Sequence, residues 1–337
     1  MVPEHAECTK RKRRKRMRRL KTSFKDLVSR LTRSGNHLLF EAEHFEHLWS
    51  IGIYTGTSPL ALAPVPGLTQ PVLTRDDVTD VCALMVADPF MINAGGMWYM
   101  FFELYNRASH GEIGYATSLD GLTWTYQRVV LAEPFHLSYP YVFEWAGEYY
   151  MIPESHLTGE VRLYRARRFP DQWEQAGVLL KGHAYSDSSI IRHEGRWWMW
   201  TESSQGRFDT LRLYMAEELL GPWEAHPRNP IIELNAQRAR PAGRVIQVGA
   251  RLIRFSQNCY PTYGVDVRAF EITELSPTAY QSEATSDGPV LGPSGSGWNK
   301  CGMHHIDAHL QEDGQWLACV DGWTAVPSLL ENLKPMR

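Results

Sequence analysis

Cysteine is scarce in this sequence, and long apolar runs are absent. The cysteines number five, an odd count, and no two have the Cys-x-x-Cys spacing of zinc sites. They therefore indicate neither a zinc site nor a disulfide framework. No apolar segment reaches membrane-spanning length, and the basic run near the N-terminus has no apolar signal segment behind it. We expect a cytoplasmic protein.

Positive charge is concentrated in one short arm. Residues 10 to 21 carry ten Lys and Arg in a chain of net charge −3, which leaves −13 on the rest. Apolar residues then recur at helical spacing in Leu20, Phe24, Leu27, Val28 and Leu31. The arm is predicted to be an amphipathic helix or a disordered tail. One interpretation places it on an anionic membrane surface, so that the protein is peripheral to the membrane. A solvated tail is the alternative, and nucleic acid is the less favoured partner.

A hairpin pattern returns along the chain about every fifty residues. Each copy has two apolar runs around a Gly turn, and a residue two positions after that Gly marks the register. These marker residues are Trp98, Tyr149, Trp197, Arg251 and Trp316. Short aromatic and β-branched hairpins repeated in this way are typical of propeller blades, because a single hairpin cannot bury both faces.

The repeat predicts an all-β fold, a five-bladed β-propeller. Residues 48 to 60 resemble the outer half of a blade without its inner strands, whereas residues 304 to 320 resemble inner strands. We expect the N-terminal strand to close the last blade, which removes the open edges. The predicted organisation is a basic arm over 1–36, the propeller over 37–325 and a C-terminal tail over 326–337.

Residues at equivalent positions of the inner strands should converge at one mouth of the ring. Counting back ten from the markers gives Asp88 in the first copy, Tyr139 in the second and Asp187 in the third. In this arrangement the residues close to them are Arg240, His304, His305 and Asp307. A carboxylate pair surrounded by Arg, His and Tyr suits a polyhydroxylated or anionic substrate. Turn formation is the alternative role for each Asp.

Three glutamates share a second register position, five residues after the markers. They are Glu103, Glu154 and Glu202. One interpretation is that they hydrogen-bond the backbone of a neighbouring blade. The other is that Glu154 or Glu202 acts as a catalytic acid, since second strands return to the mouth that holds Asp88.

These residues resemble the five-bladed glycoside hydrolases of family 43. The likeness lies in Asp88-Pro89, in the Asp that opens the third copy, and in the run Ile113-Gly-Tyr-Ala-Thr-Ser. It implies that Asp88 is the general base and that Asp187 orients the acid and tunes its pKa. In that family a Glu opens the next blade as general acid, but this sequence has Arg240 there, and an Arg cannot donate a proton near neutral pH.

A likeness over residues 48 to 320 is to the N-terminal propeller domain of glucosamine inositolphosphorylceramide transferases. It is carried by Trp49-Ser-Ile-Gly-Ile-Tyr, Val86-Ala-Asp-Pro-Phe-Met-Ile, Tyr139-Pro-Tyr-Val-Phe-Glu and Ala239-Arg-Pro-Ala-Gly. In the plant proteins a separate glycosyltransferase domain carries out the sugar transfer. The likeness implies a carbohydrate or glycolipid substrate and a glycosyltransferase partner.

Two functions follow as hypotheses. The first is a glycoside hydrolase acting on a furanosidic or glycolipid-linked glycan, with Asp88 as base. The second is a non-catalytic propeller that binds the glycan and presents it to a transferase. We expect no cofactor and no metal. The alternative is calcium, which some family 43 enzymes hold near a fifth-blade His, and a face of His305, Asp307 and His309 on one strand would suit a metal.

Overall fold

The computed structural model describes residues 45–327, which form twenty strands in five four-stranded sheets. Three single-turn 3-10 helices lie in the connections, at Arg75–Asp77, His156–Thr158 and Gly297–Asn299. The predicted all-β, five-bladed propeller is confirmed.

The blades follow one another along the chain. Blade 1 contains β3 (Ala83–Ala94), β4 (Met97–Asn106), β5 (Gly111–Ser118) and β6 (Thr125–Leu131). Blade 2 contains β7 (Ser138–Trp145), β8 (Glu148–Glu154), β9 (Glu160–Arg168) and β10 (Gln172–Lys181). Blade 3 contains β11 (Ser186–His193), β12 (Arg196–Glu202), β13 (Leu211–Ala216) and β14 (Glu224–Ala225). Blade 4 contains β15 (Ile246–Val248), β16 (Arg251–Asn258), β17 (Asp266–Leu275) and β18 (Tyr280–Ala284).

Blade 5 is built from both ends of the described chain. Its strands in spatial order are β19 (Ile306–Leu310), β20 (Trp316–Pro327), β1 (Phe45–Ser58) and β2 (Ala61–Pro64). The side chain of Thr55 in β1 also donates to the Trp316 carbonyl at 2.9 Å. An early strand therefore closes the last blade, as the half-blade pattern predicted, and it begins three residues earlier than expected.

Tryptophan side chains after the outer turns are structural. The indole N–H of Trp124 donates to the Gly121 carbonyl at 3.0 Å, and Trp173 and Trp223 make the same kind of bond to Pro170 and Leu219. Each ring thus caps its own turn while packing against a hydrophobic core cluster.

The predicted basic arm and C-terminal tail lie outside the described residues, apart from residues 326 and 327. Over residues 45–327, no helix has the length and apolar character needed to cross a membrane.

Candidate functional site at the propeller axis

The three register-equivalent residues share an unusual backbone. Asp88, Tyr139 and Asp187 have φ angles of 52°, 46° and 50°, each at a bulge where the inner strand's pairing register shifts. A left-handed conformation in a non-glycine residue costs on the order of 1 kcal/mol or more and is often found at functional sites. Three blades thus have the same strained feature at equivalent positions of their inner strands.

Carboxylates on second strands hold two of these bulges. Asp321 Oδ2 accepts from the backbone N–H of Asp88 at 3.0 Å, and Glu154 Oε2 accepts from that of Asp187 at 3.1 Å. In both cases the bond joins one blade to the next. This is the interblade role considered for the glutamate row, and Glu154 adopts it.

The other two glutamates of the row have different partners. Glu202 accepts hydrogen bonds from the backbone N–H and the hydroxyl of Ser204. Glu103 lies with Oε1 3.5 Å from His136 Nε2. Both carboxyl groups are buried. The three glutamates therefore share a register position but have different contacts.

Asp88 lies in a buried cluster with two histidines. Its Oδ1 is 3.6 Å from His304 Nε2 and 3.7 Å from His305 Nδ1, yet it has no hydrogen-bond partner within residues 45–327. His304 Nδ1 is 2.7 Å from Asp321 Oδ1. Burial raises the pKa of Asp88 to about 6; His304 opposes this shift, and Asp321 adds to it.

Arg240 occupies the position that the sequence likeness gives to a catalytic acid. Its Nε lies 2.5 Å from Asp187 Oδ2, and its Nη2 lies 3.4 Å from Glu154 Oε2. Gln257 also donates to Asp187 Oδ2. Burial alone would raise the pKa of Glu154, but the His156 hydrogen bond and the Arg240 charge hold it well below its usual range. The ionised form of Glu154 is therefore favoured, which disfavours a role as proton donor.

Aromatic rings cover the arginine. Its guanidinium carbon is 5.0 Å from the centroid of the Phe208 ring and 5.2 Å from that of Tyr263, and both rings are partly exposed. Tyr263 also contacts His304 edge-on, at 5.2 Å between centroids. The loop between β12 and β13 and the loop between β16 and β17 thus cover part of the cluster.

The cluster has more carboxyl groups than cations to balance them. Burial raises the pKa values of Glu103 and Asp187 well above their usual range, and it raises that of Glu202 as well. Four carboxyl oxygens of this cluster are buried and have no hydrogen-bond partner among residues 45–327: Asp88 Oδ1, Glu103 Oε1, Asp187 Oδ1 and Glu202 Oε2. The raised pKa values favour the protonated form of these carboxyl groups, and the unpartnered oxygens are acceptors for a ligand that donates hydrogen bonds.

Two predicted site residues, Tyr139 and Asp307, make hydrogen bonds and an ion pair to neighbouring blades. The Tyr139 hydroxyl is 2.8 Å from Ser189 Oγ and accepts from the Gly243 N–H at 2.6 Å. Asp307 pairs with Arg244 Nε at 2.6 Å, lies 2.9 Å from His309 Nε2 and accepts from the Met91 N–H. The structure gives both side chains bonds that join blades.

The described residues do not assemble the metal-binding face predicted on β19. Asp307 and His309 contact each other, but both ring nitrogens of His305 lack hydrogen-bond partners and one faces Asp88. A different trio, Asp88, His304 and Asp321, has one donor atom each within 4.8 Å of one another. Calcium prefers six to eight oxygen ligands, and one nitrogen of this trio is already hydrogen-bonded to one of its carboxylates. The trio does not fit calcium.

Several cluster members were absent from the sequence prediction. Asp321 shares the register position of the three glutamates, so counting alone could have included it. Gln257, Phe208 and Tyr263 carry no such signal, because they reach the cluster from the second strand of blade 4 and from two loops.

Comparison with known structures supports the fold. An exo-β-1,3-galactanase from Clostridium thermocellum aligns with a TM-score of 0.52 and 15% identity, covering 74% of this chain and 62% of that one. An α-L-arabinanase mutant from Cellvibrio cellulosa aligns with a TM-score of 0.51 and 16% identity, covering 73% and 92%. At these identities the likeness shows a shared fold.

Comparison of sequences gives the family. Two curated relatives are named glucosamine inositolphosphorylceramide transferase 1. The protein from Oryza sativa subsp. japonica is 35% identical over 305 residues, and that from Arabidopsis thaliana is 34% identical over 304. These matches cover 84% and 83% of this chain but 41% and 39% of the relatives, so the chain spans about two fifths of their length. The family model for the N-terminal part of glucosamine inositolphosphorylceramide transferase 1 matches residues 42–323, and the chain belongs to this family.

Proposed function

We propose that the axial site binds a glycan and that the propeller presents a glycolipid-linked sugar to a glycosyltransferase. The observation that carries this proposal is the position of Arg240, held by Asp187 and Glu154 where a hydrolase would need a proton donor. The family supports it, since its plant members are named glucosamine inositolphosphorylceramide transferases.

Binding suits this site better than acid catalysis. General acid catalysis contributes typically about a hundred- to ten-thousand-fold in rate, and an arginine cannot supply it. Glu154, which the sequence offered as a substitute acid, is kept ionised by Arg240 and His156. A buried ion pair of this kind is better suited to fixing the position of its neighbours than to proton transfer.

The chemistry of the ligand follows from the unpartnered oxygens. Four buried carboxyl oxygens without partners favour a ligand rich in hydrogen-bond donors. Sugar hydroxyls satisfy this need, and a protonated amine adds a charge that the surplus carboxylates stabilise. We infer that an amino sugar such as glucosamine is the preferred headgroup.

The test is calorimetric titration with glucosamine, N-acetylglucosamine and glucose. Glucosamine should bind most tightly, because acetylation removes the ammonium charge and glucose lacks the amine. Its ammonium should displace protons from the cluster, so the apparent enthalpy should change with the ionisation enthalpy of the buffer. Neither neutral sugar should show this dependence.

Variants locate the binding. Asp88→Asn should weaken glucosamine binding by about tenfold or more, the loss expected for one charge-assisted hydrogen bond. Asp76→Asn is the matched control, since the Asp76 side chain is 90% exposed whereas Asp88 is buried. The proposal fails if all three sugars bind alike or if the two variants have equal affinity.

The second candidate is hydrolysis with Asp88 as general base. It is favoured by the pKa of Asp88, about 6, and by its unpartnered Oδ1. Glu103, whose pKa burial raises, would then be the proton source. Arabino-, galacto- and xylofuranosides, tested beside their pyranosides, should release sugar with the native protein and not with Asp88→Asn. If neither protein turns over any substrate while glucosamine binds, hydrolysis is ruled out and binding stands.

A further inference from the structure

A cavity lies in blade 4, and none of the axial cluster residues line it. It has a volume of about 260 Å³. Its walls come from the segment before β15, from β17 and from the turn after β18. The lining residues include Asn235, Gln237, Arg238, Arg268, Phe270 and Asp287.

Two arginines meet at one phenylalanine beside this cavity. The guanidinium carbon of Arg238 is 4.9 Å from the centroid of Phe270, and that of Arg254 is 4.4 Å from it. Arg254 Nη1 donates to the Arg238 carbonyl at 3.0 Å, which links the two residues directly. Phe270 is almost fully buried, so its ring supports both cations from within the blade.

These cations lack carboxylate partners. Arg254 is 2% exposed, and neither it nor Arg238 forms an ion pair with any residue from 45 to 327. Within residues 45–327, Arg254 Nε, Arg254 Nη2 and Arg238 Nε are buried without an acceptor at hydrogen-bond distance, while Arg238 Nη2 donates to the Ser282 carbonyl at 3.2 Å. Burial lowers the pKa of Arg254; Tyr280 opposes this, and the Arg238 charge adds to it. Because a guanidinium stays charged, an unpaired one in the interior is costly unless an anion compensates it.

A third arginine completes the positive wall. Arg268 Nε donates to Asp266 Oδ1 at 3.1 Å, and its Nη nitrogens have no hydrogen-bond acceptor among the described residues. Asp287 is the carboxylate on the cavity wall, and it stands on an exposed turn. Three arginines against Asp266 and Asp287 leave a surplus of positive charge. The axial cluster has the opposite surplus.

We propose that this cavity is a binding site for an oxyanion, a phosphate or carboxylate, carried on a polyhydroxylated group. Arg238 and Arg268 contact the anion. Arg254, which packs on the Phe270 ring beside the cavity, adds positive charge without contacting the anion. The cavity is larger than a bare anion needs, and Asn235, Gln237 and Asp287 provide partners for hydroxyl groups. Sugar phosphates and uronic acids share this chemistry.

The experiment is titration at low salt with glucose 6-phosphate, glucuronate, inorganic phosphate and glucose. Glucose 6-phosphate or glucuronate should bind at least tenfold more tightly than glucose, and the tighter of the two identifies the anion. Inorganic phosphate should bind more weakly than glucose 6-phosphate, because it leaves the hydroxyl partners unused. Equal binding of glucose and both acidic sugars overturns the proposal.

Three variants test the location. Arg238→Gln should lose at least tenfold in affinity for the preferred anion, whereas Asp287→Asn should gain affinity because it removes the opposing charge. Arg251→Gln is the matched control, since Arg251 lies on the same blade but pairs with Glu271 at 2.7 Å. If Arg238→Gln and Arg251→Gln, both shown to be folded by thermal melting, bind like the native protein, the site is elsewhere. Asp88→Asn should leave this affinity unchanged, which separates the two sites.

Discussion

The protonation of Asp88 gives a prediction about stability. Burial raises its pKa from 3.8 to about 6, so the folded protein holds this proton more tightly than the unfolded chain does. Above pH 6 the ionised carboxyl therefore destabilises the fold, by up to about 3 kcal/mol at 1.36 kcal/mol per pKa unit. We expect Asp88→Asn to raise the free energy of unfolding at pH 8. The gain should vanish near pH 4, where the native carboxyl is protonated. Asparagine also tolerates the left-handed backbone.

Urea denaturation at pH 8 and pH 4 measures this difference. His305 has the opposite trend, because burial lowers its pKa to about 4 and stability is lost as pH falls from its ordinary value of 6.5. Asp88 Oδ1 lies 3.6 Å from His304 Nε2 and 3.7 Å from His305 Nδ1, so the comparison measures the carboxyl together with its effect on both histidines. A variant less stable than the native protein at pH 8 would contradict the assignment of a buried, poorly compensated carboxylate.

Single residues were predictable where the repeat fixes their place. Register alone gave Asp88 and Asp187 equivalent positions in their blades, and the structure shows that both have the same left-handed backbone conformation. It could not show that Arg240 would be held by Asp187 and Glu154, because pairing across three blades depends on side-chain reach rather than on spacing. The assignment of Asp88, Asp187, Glu154 and Arg240 as catalytic or substrate-binding residues stays a prediction.

At the scale of elements, the contact between blades 4 and 5 depends on one glycine. Gly243 has φ 133°, forms a parallel bridge with Ile306 and bonds to the Tyr139 hydroxyl. A Cβ added there would lie 1.7 Å from the Ile306 carbonyl oxygen. We expect Gly243→Ala to destabilise the protein by several kcal/mol, since the backbone of two blades must separate.

Gly249→Ala is the matched control. Gly249 also has a positive φ, 61°, but no atom lies within 4 Å of its added Cβ. Its cost should be that of the backbone conformation alone, roughly 1 kcal/mol. Thermal or urea unfolding of both variants measures the difference. Equal destabilisation would mean that backbone strain, and not the contact with Ile306, dominates at Gly243.

The hairpins were predictable as elements, but their bulges were not. Aromatic runs around a Gly turn indicate paired strands, and those pairs are present in all five blades. A glycine in a strand often marks a bulge, but here Asp88 and Tyr139 adopt the left-handed conformation themselves. The sequence therefore contains no glycine that would indicate these bulges. The fourth copy has the shortest inner strand: Pro241 cannot donate to a strand ladder, and β15 is three residues long.

For the whole molecule, closure of the ring depends on β1. This strand lies between β20 and β2, so removing it leaves β20 with an unpaired edge. We expect a chain truncated through Ser58 to lose cooperative unfolding and to aggregate. A peptide of residues 45–64 added in trans should restore a monomer, measured by size-exclusion chromatography and circular dichroism. A scrambled peptide is the control, and a truncated chain that stays monomeric and melts like the native protein would show that closure is dispensable.

The pairing of β1 with β20 also determines when the last blade can form during synthesis of the chain. Strand β1 is made early, but its partner β20 begins only at Trp316. At about 5–20 residues per second on the ribosome, β1 waits roughly 15 to 50 s for that partner. During this interval an apolar strand containing Ile51 and Ile53, fully or almost fully buried in the finished ring, is exposed in the nascent chain. Slow synthesis should therefore raise the demand for chaperones, and ribosome stalling between the two strands should damage the yield more than stalling after Pro327.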